Sequence, residues 1–446
     1  MKEKMLRWII SFGIVVLIGV IAAEPAYSDN ETGTLPRSSW FAFTSDPQFP
    51  WTDKTDEGVS ETEEAKKARS RELITQQYDS INSLKRELGD RLAAVLVNGD
   101  LTAFGHWSEL QTYYNELLPR LKPRVFIGLG NHDYGNNVDD CFENRCATDS
   151  VRKFVDWARQ TGVTNMDIYE HSDYTFPSLA TLTTGSLAYS VDIGDVHVIQ
   201  LNNYAGYSRT WEGFVSAEAR KFRFEISPST RWLERDLALA RQKGQIIIVN
   251  MHQPEIDGLS NLLSRYGVTA VFTGHFHGSS GNSWLFAGVP AFTIGSASQS
   301  TWLLAELDRV EKKLRVYGVE RNDPTKKRLI RVLDVIQDVG SAPVPAPDYH
   351  ITFFNSGGYV ARYSVSWNVD GKPSTVSTGA LLLGNKRTFL IPGNATEIQA
   401  FGENWTGLVW EPLRTIFDVR VLPTGKNQCF KTWGTTLNAA WNQSEC

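Results

Sequence analysis

The chain has 446 residues, 41% of them hydrophobic and 21% charged, an ordinary globular composition long enough for about two or three domains. Its formal net charge is −5, so the broad basic footprint of a nucleic-acid or anionic-lipid binder is not expected. At the N-terminus, Lys2, Lys4 and Arg7 precede the apolar run from Trp8 to Ala23, and small residues (Ala26, Ser28) follow. This pattern predicts a secretory signal over 1–28, with an uncleaved anchor as the lesser reading. No Cys follows the apolar run, against a lipid-anchored form, and no later stretch is long and apolar enough to span a membrane.

From about Trp40 onward, β-rich runs alternate with helical patterns. The strands are "WFAFTSD", "AAVLVNGD", "RVFIGLGNHD", "HVIQLNN", "IIIVNMH" and "AVFTGHFH". Helices are predicted over Glu63–Leu88, Trp107–Leu118, Val151–Arg159, Arg231–Lys243 and Leu259–Tyr266. The alternation predicts α/β layers, whose ligands bind at the carboxyl ends of the strands. Pro343, Pro345 and Pro347 make 338–348 a stiff, extended linker. Beyond it Tyr359, Ala361, Tyr363, Val365, Trp367 and Val369 alternate with mostly polar residues, the period of a strand with one buried face. Turn sequences ("NVDGKPS", "LIPGN", "LPTGK") divide the rest into a small antiparallel all-β sandwich. Cys141 lies close to Cys146 and Cys429 to Cys446; an even count in an exported chain suggests two local disulfides, whose pairing the sequence alone does not fix. "GLG" and "GSSG" read as turns, and Asn394 in "NAT" matches a glycosylation acceptor.

The strand ends collect potential ligands: Asp46 and Gln48, Asp100, Asn131 and His132, His252, then His275 and His277. A single buried His is usually a satisfied core residue. This many carboxylate, amide and imidazole groups at successive strand termini point to divalent metal. In an extended "GHFH", side chains alternate with period two, so His275 and His277 would share one side.

Here the chain resembles the calcineurin-like metallophosphoesterase superfamily, whose pattern runs D-x-H, G-D, G-N-H-[DE], a lone H, then G-H-x-H. The corresponding blocks are "DPQ" (46–48), "NGD" (98–100), "GNHD" (130–133), "MH" (251–252) and "GHFH" (274–277). The resemblance implies a layered β-sandwich flanked by helices over 36–337 and two divalent ions of Mn, Fe or Zn type. One would be held by Asp46, Gln48 and His277, the other by Asn131, His252 and His275, with Asp100 bridging. His132 would donate the proton to the leaving group and Asp133 would orient its neighbours, both in the catalytic group. A hydroxide shared by the two cations would attack a phosphate mono- or diester. Gln48 stands where the family usually has His, a neutral ligand that would bind its ion more weakly or favour another metal. "GDLTAFG" lacks the Arg of the Ser/Thr phosphatase branch, against close kinship with that branch.

The C-terminal region, 349–446, resembles the membrane-recognition domain of the cholesterol-dependent (thiol-activated) cytolysins. "NWTGLVWEPLR" (404–414) is similar to that family's E-C-T-G-L-A-W-E-W-W-R, and "WGTTL" (433–437) to its W-G-T-T-L. The resemblance implies membrane, sterol or glycan docking through Trp405, Trp410, Arg414, Thr436 and Leu437. Trp405 replaces a Cys and Pro412–Leu413 replace paired tryptophans, which should weaken insertion; the pore-forming part is absent. The reading is therefore a secreted (extracellular or periplasmic) phosphoesterase with a targeting domain. The alternative is a surface binder on a degenerate phosphoesterase scaffold.

Overall fold

The computed structural model describes residues 35–175, 178–256, 259, 261–337, 343–369, 371–410, 412–421 and 426–446. The predicted signal and part of the predicted linker lie outside them. Two mixed sheets stack face to face. One runs, in spatial order, Arg328–Asp334, Lys313–Val319, Trp302–Asp308, Ser38–Thr44, Leu92–Asn98 and Val125–Gly128. The other runs Ser283–Phe286, Val289–Thr293, Ala270–Thr273, Ile246–Met251, Val196–Gln200, Tyr189–Ile193 and Asn165–Met166. Phe43 of the first stacks on Phe272 of the second at 3.7 Å between ring centres. Around that contact Phe41, Val95, Phe126, Val198, Ile248 and Phe292 form one buried core.

The central strands read as unbroken apolar runs because both their faces are buried. Outside the second sheet, Leu233 and Leu237 of the helix Thr230–Gln242 cover Ile247, Val249 and Met251. Ser38–Thr44, Leu92–Asn98 and Val125–Gly128 are parallel, as are Val196–Gln200, Ile246–Met251 and Ala270–Thr273. Each parallel set therefore delivers its polar strand ends to one edge.

The helix Glu63–Leu88 has the predicted limits. Thr62 caps it through Ala65 N–H, acidic residues open it, and Gly89 closes it. Other helices shift. The stretch predicted over Trp107–Leu118 is α-helical only over Trp107–Thr112, then passes into a wider turn, Tyr113–Leu117, and a tight one containing Pro119. The helix Arg145–Gln160 is longer than predicted, and Leu262–Arg265 is all that forms near Tyr266.

A third sheet consists of Tyr169–Thr175, Ser178–Gly185, Arg220–Ile226 and Arg209–Val215 and contains much of 205–227. There Trp211 and Phe224 stack at 4.7 Å as buried core.

The C-terminal domain packs Lys386–Ile391, Tyr349–Asn355, Gln428–Thr435 and Asn438–Glu445 against Lys372–Ser377, Ala361–Val369, Thr396–Trp405 and Leu413–Arg420. All its strand pairs are antiparallel except Tyr349–Asn355 with Gln428–Thr435. Phe353, Tyr363, Phe417 and Phe430 fill its core, and Trp367 packs half-buried against it. The disulfides join Cys141 to Cys146 and Cys429 to Cys446.

Two ion pairs fasten this domain to the first, Arg231–Asp348 at 2.8 Å and Arg387–Glu225 at 2.8 Å. The Tyr169 and His350 rings stack at 3.9 Å. Arg231 also donates to Asn394 Oδ1, so the glycosylation-like Asn lies at the junction. The described end of the linker is partly anchored, with Val344 packed against the second core.

Far from the strand ends, buried His197 sits between Asp192 (Nδ1–Oδ1 2.6 Å) and Asp236 (Nε2–Oδ2 2.8 Å), with Lys243 on the far oxygen of Asp192. Burial opposes the charged ring, but the two carboxylates prevail and hold it up at about 9. A pKa raised above the unfolded value of about 6.5 stabilises the fold below that pH, and the gain disappears as pH rises through the folded value. Urea unfolding midpoints should therefore fall between pH 6.5 and 9.5, and His197→Gln should flatten that dependence.

Candidate metal centre

The polar residues that end the apolar runs meet at one edge of the two sheets. Asp46 and Gln48 follow Ser38–Thr44, and Asp100 follows Leu92–Asn98. Asn131 and His132 follow Val125–Gly128, and His252 follows Ile246–Met251. Asp46, Gln48, Asp100, Asn131, Asp133 and His252 are buried; His132, His275 and His277 are partly exposed on the open side.

Ligand atoms of Asp100, His252 and His275 lie within 4.8 Å of one another. His252 Nε2 is 3.1 Å from Asp100 Oδ2 and 3.8 Å from Asp46 Oδ1. His277 Nε2 stands 3.4 Å from the same Asp46 oxygen. Gln48 is tied to the Asp100 loop through its backbone N–H, which donates to Asp100 O at 2.8 Å. Asn131 Oδ1 accepts at 3.2 Å from Nε2 of Gln253, beside His252 in sequence.

Special backbone makes the convergence possible. Asp46, Gln48, Asp100 and His275 all have φ between 42° and 69°, a left-handed conformation that non-glycine residues adopt at a cost and that clusters at functional sites. At His275 it corrects the extended reading of "GHFH". The strand stops at Thr273, and a tight turn begins at His277. Both rings reach the cluster because the chain turns between them, not because they alternate along a strand. Gly130 lies where a β-carbon would be 2.2 Å from Asp100 Oδ1.

The histidines are oriented from behind. His252 Nδ1 donates to Asn98 O at 3.0 Å, turning Nε2 toward the carboxylates. His132 Nδ1 donates to Ala103 O at 2.8 Å, leaving Nε2 toward the open side. His277 Nδ1 bonds Asp56 Oδ1 at 2.7 Å. Asp56, which the sequence reading missed, also accepts from Trp51, Ser298 and Gln299. No local pattern marks it, since it lies on a four-residue helix, Asp53–Asp56, remote in sequence from His277. Trp51 stands edge-on to both His132 (5.6 Å) and His277 (6.0 Å).

Asp133 lies behind the loop of Asn131 and His132. It accepts from the backbone N–H groups of Leu101, Thr102 and Gly130 and is almost wholly buried. It ties two loops together.

The electrostatics call for cations. Burial, then the Asp100 charge, pushes Asp133 up to about 7, against its backbone donors. At His252 burial is outweighed by Asp100 and Asp46, which raise the ring to about 9. At His277 burial is likewise outweighed, by Asp46 and Asp56, giving about 10. Burial lowers His275, helped by the charge on His252. Asp46 Oδ1, Gln48 Oε1 and His252 Nε2 are all buried without a hydrogen-bond partner. Leaving such atoms unsatisfied is costly, and divalent ions satisfy a mixed carboxylate, amide and imidazole set together.

The C-terminal residues gather at one end of their sandwich. Trp410 is 81% exposed and Leu437 55%, beside Val409 at 94%. Trp405 is also exposed, under the Arg362 guanidinium. Arg414 donates to Leu437 O at 2.6 Å, and Asn404 to Thr436 O at 2.8 Å. The two tips are thereby tied into one surface.

A layered α/β domain with oxygen and imidazole donors at its strand ends, joined to an all-β domain, defines the class of protein. The chain belongs to the calcineurin-like phosphoesterase family: the family profile described as "Calcineurin-like phosphoesterase" matches residues 39–279, more than half of the chain. A second profile, "Thiol-activated cytolysin beta sandwich domain", matches residues 350–440. Listeriolysin O of Listeria monocytogenes is 34% identical over 108 residues, 22% of this chain and 20% of that protein. Ivanolysin of Listeria ivanovii shows the same identity, 34%, over 108 residues and the same shares, 22% and 20%. The chain thus spans about a fifth of the length of these curated relatives. A solved structure of the membrane-binding domain of pneumolysin aligns at 24% identity over 22% of this chain and 96% of that one, with a TM-score of 0.19. The family places the chain among metal-dependent phosphoesterases.

Gly130→Ala should force the loop away from Asp100 and destabilise the fold by about 1–3 kcal/mol, read as a lower thermal midpoint. Gly278→Ala, with open space around its position, should leave the midpoint unchanged.

Proposed function

We propose that this protein is an exported phosphoesterase that uses two divalent ions and works at a membrane surface. The observation that carries the reading is the Asp100–His252–His275 cluster, where buried carboxylates crowd imidazoles, with His252 Nε2 3.1 Å from Asp100 Oδ2, and Gln48 Oε1 is left buried without a hydrogen-bond partner. Asp46, Gln48 and His277 would hold one ion, Asn131, His252 and His275 the other, with Asp100 between them. When bound, the ions supply Lewis acidity to a phosphoryl group and make water more acidic. Mn, Fe and Zn all suit such donors.

The chain's own residues do the rest. His132, with Nδ1 fixed on Ala103 O, presents Nε2 to protonate the leaving alkoxide of a phosphate mono- or diester. Asp133 holds the loops of Asp100 and His132 in register, since His132 N–H also donates to Asp100 Oδ1 at 2.8 Å. Asp56 fixes the ring of His277, and such supporting groups are worth about 10–100-fold in metal affinity. Trp51 closes one side of the site.

Docking rests on the exposed tip of Val409, Trp410 and Leu437. An apolar patch with Trp at its edge suits the bilayer interface, and sterol or glycan could each be its target. The two disulfides support an oxidising compartment.

With Mn²⁺ or Zn²⁺ added, the protein should cleave aryl phosphate esters. His132→Ala should lower turnover by about 10²–10⁴-fold while the bound metal content stays the same by elemental analysis. Metal at trace level and no cleavage after metal addition would instead support a surface binder on an inactive scaffold. Trp410→Asp with Leu437→Asp should reduce co-sedimentation with phosphatidylcholine–sterol vesicles by about ten-fold or more, from the apolar area removed. Equal sedimentation of this variant and the parent protein would remove the tip from docking.

A further inference from the structure

Next to the cluster lies a groove of about 460 Å³ lined by Asp53, Arg69, Gln76, Ser298, Ser300 and Arg321, among others. One carboxylate separates it from the candidate metal ligands. Asp56 bonds His277 through Oδ1, and through Oδ2 it accepts from Ser298 Oγ (2.5 Å) and Gln299 Nε2 (2.6 Å); Ser298 and Gln299 both also line the groove. The helix Glu63–Leu88 connects groove and site mouth. Lys66, Arg69, Leu73 and Gln76 fall on one of its faces. Lys66 Nζ stands 5.7 Å from the Trp51 ring, which itself borders His132 and His277.

The two guanidinium groups of the groove differ. Arg69 is committed, forking onto Asp53 at 2.8 Å and reaching Glu72 at 2.8 Å. Arg321 has no carboxylate partner among the described residues. The acids flanking it in sequence are engaged elsewhere, Glu320 with Arg328 and Asp323 with Lys326. Its loop is also built to hold it. Ser300, Arg321 and Asn322 are all left-handed, at φ 55°, 53° and 53°. Asn322 N donates to Ser300 O at 2.9 Å, and Ser80 Oγ to Asn322 O at 2.6 Å, which pins both loops to each other and to the long helix. Strained backbone at three non-glycine positions persists only where surrounding structure enforces it.

We infer that this groove is a second anion subsite. It takes a second phosphate group carried on the same substrate, and Arg321 is the specificity-determining residue. A guanidinium offers paired donors matched to phosphate oxygens, and the Ser298 and Ser300 hydroxyls lie in the same groove. A phosphorylated lipid headgroup and a soluble bisphosphate share this chemistry. The subsite rests on the phosphoesterase reading. That reading fails separately, through absent metal and absent ester cleavage, whereas the subsite is read by binding.

Calorimetry on the metal-loaded full chain compares inositol 1,4-bisphosphate with inositol 1-phosphate. The bisphosphate should bind about ten-fold tighter or better, as expected for one charge-assisted hydrogen bond. Arg321→Gln should abolish the difference and Arg321→Lys should retain part of it, both at the parent melting temperature and metal content. In a second arm, vesicles containing phosphatidylinositol 4-phosphate or phosphatidylinositol are sedimented with each protein. Arg321 dependence confined to vesicles assigns the lipid headgroup, and dependence confined to solution assigns a free bisphosphate. Equal affinity for the two inositol phosphates, together with no effect of Arg321→Gln in either arm, would overturn the subsite.

Discussion

Carboxylates buried where two sheets end cannot be satisfied by the protein alone, and much of the first domain is arranged around that constraint. Buried Asp46 and Asp100 crowd against His252 and His277, and Gln48 Oε1 is buried without a hydrogen-bond partner. Positive charge has to be brought in, by protons on the imidazoles or by metal ions. The parallel strands deliver these groups to one edge, the left-handed residues aim them, and Gly130 leaves the space they need.

The outer parts of the site extend the same logic. Asp133 and Asp56 carry no role toward substrate that the geometry supports; each fixes something that does. Asp56 is shared, bonded to His277 on one side and to groove residues on the other, so the candidate centre and the neighbouring groove are mechanically one unit.

The sequence made the donors legible because strand-terminal polar residues interrupt buried apolar runs, and the five blocks kept their order. Domain type was legible for a similar reason, since unbroken apolar strands and alternating ones imply different burial. Other features depend on contacts distant in sequence and left no local mark. Asp56 meets His277 from 221 positions away, and Asn322, beside Arg321, joins Ser300 and Ser80. The turn inside "GHFH" is a φ choice at His275, which extended periodicity cannot reveal. The sheet of 205–227 rests on pairing of Arg220–Ile226 with Ser178–Gly185 and with Arg209–Val215, contacts between separated segments.

The C-terminal sandwich has polarity along its length. Asp348, His350 and Asn394 sit at the junction end, whereas Trp410 and Leu437 lie at the other, separated by strands such as Gln428–Thr435. Eight extended residues span roughly 25 Å at about 3.3 Å each. With two ion pairs and a ring stack at the junction, the sandwich is a spacer of set length more than a loose leash. Anchoring at the tip would then carry the phosphoesterase domain at a defined height, so elevation above the bilayer, and not local concentration alone, selects which esters it meets.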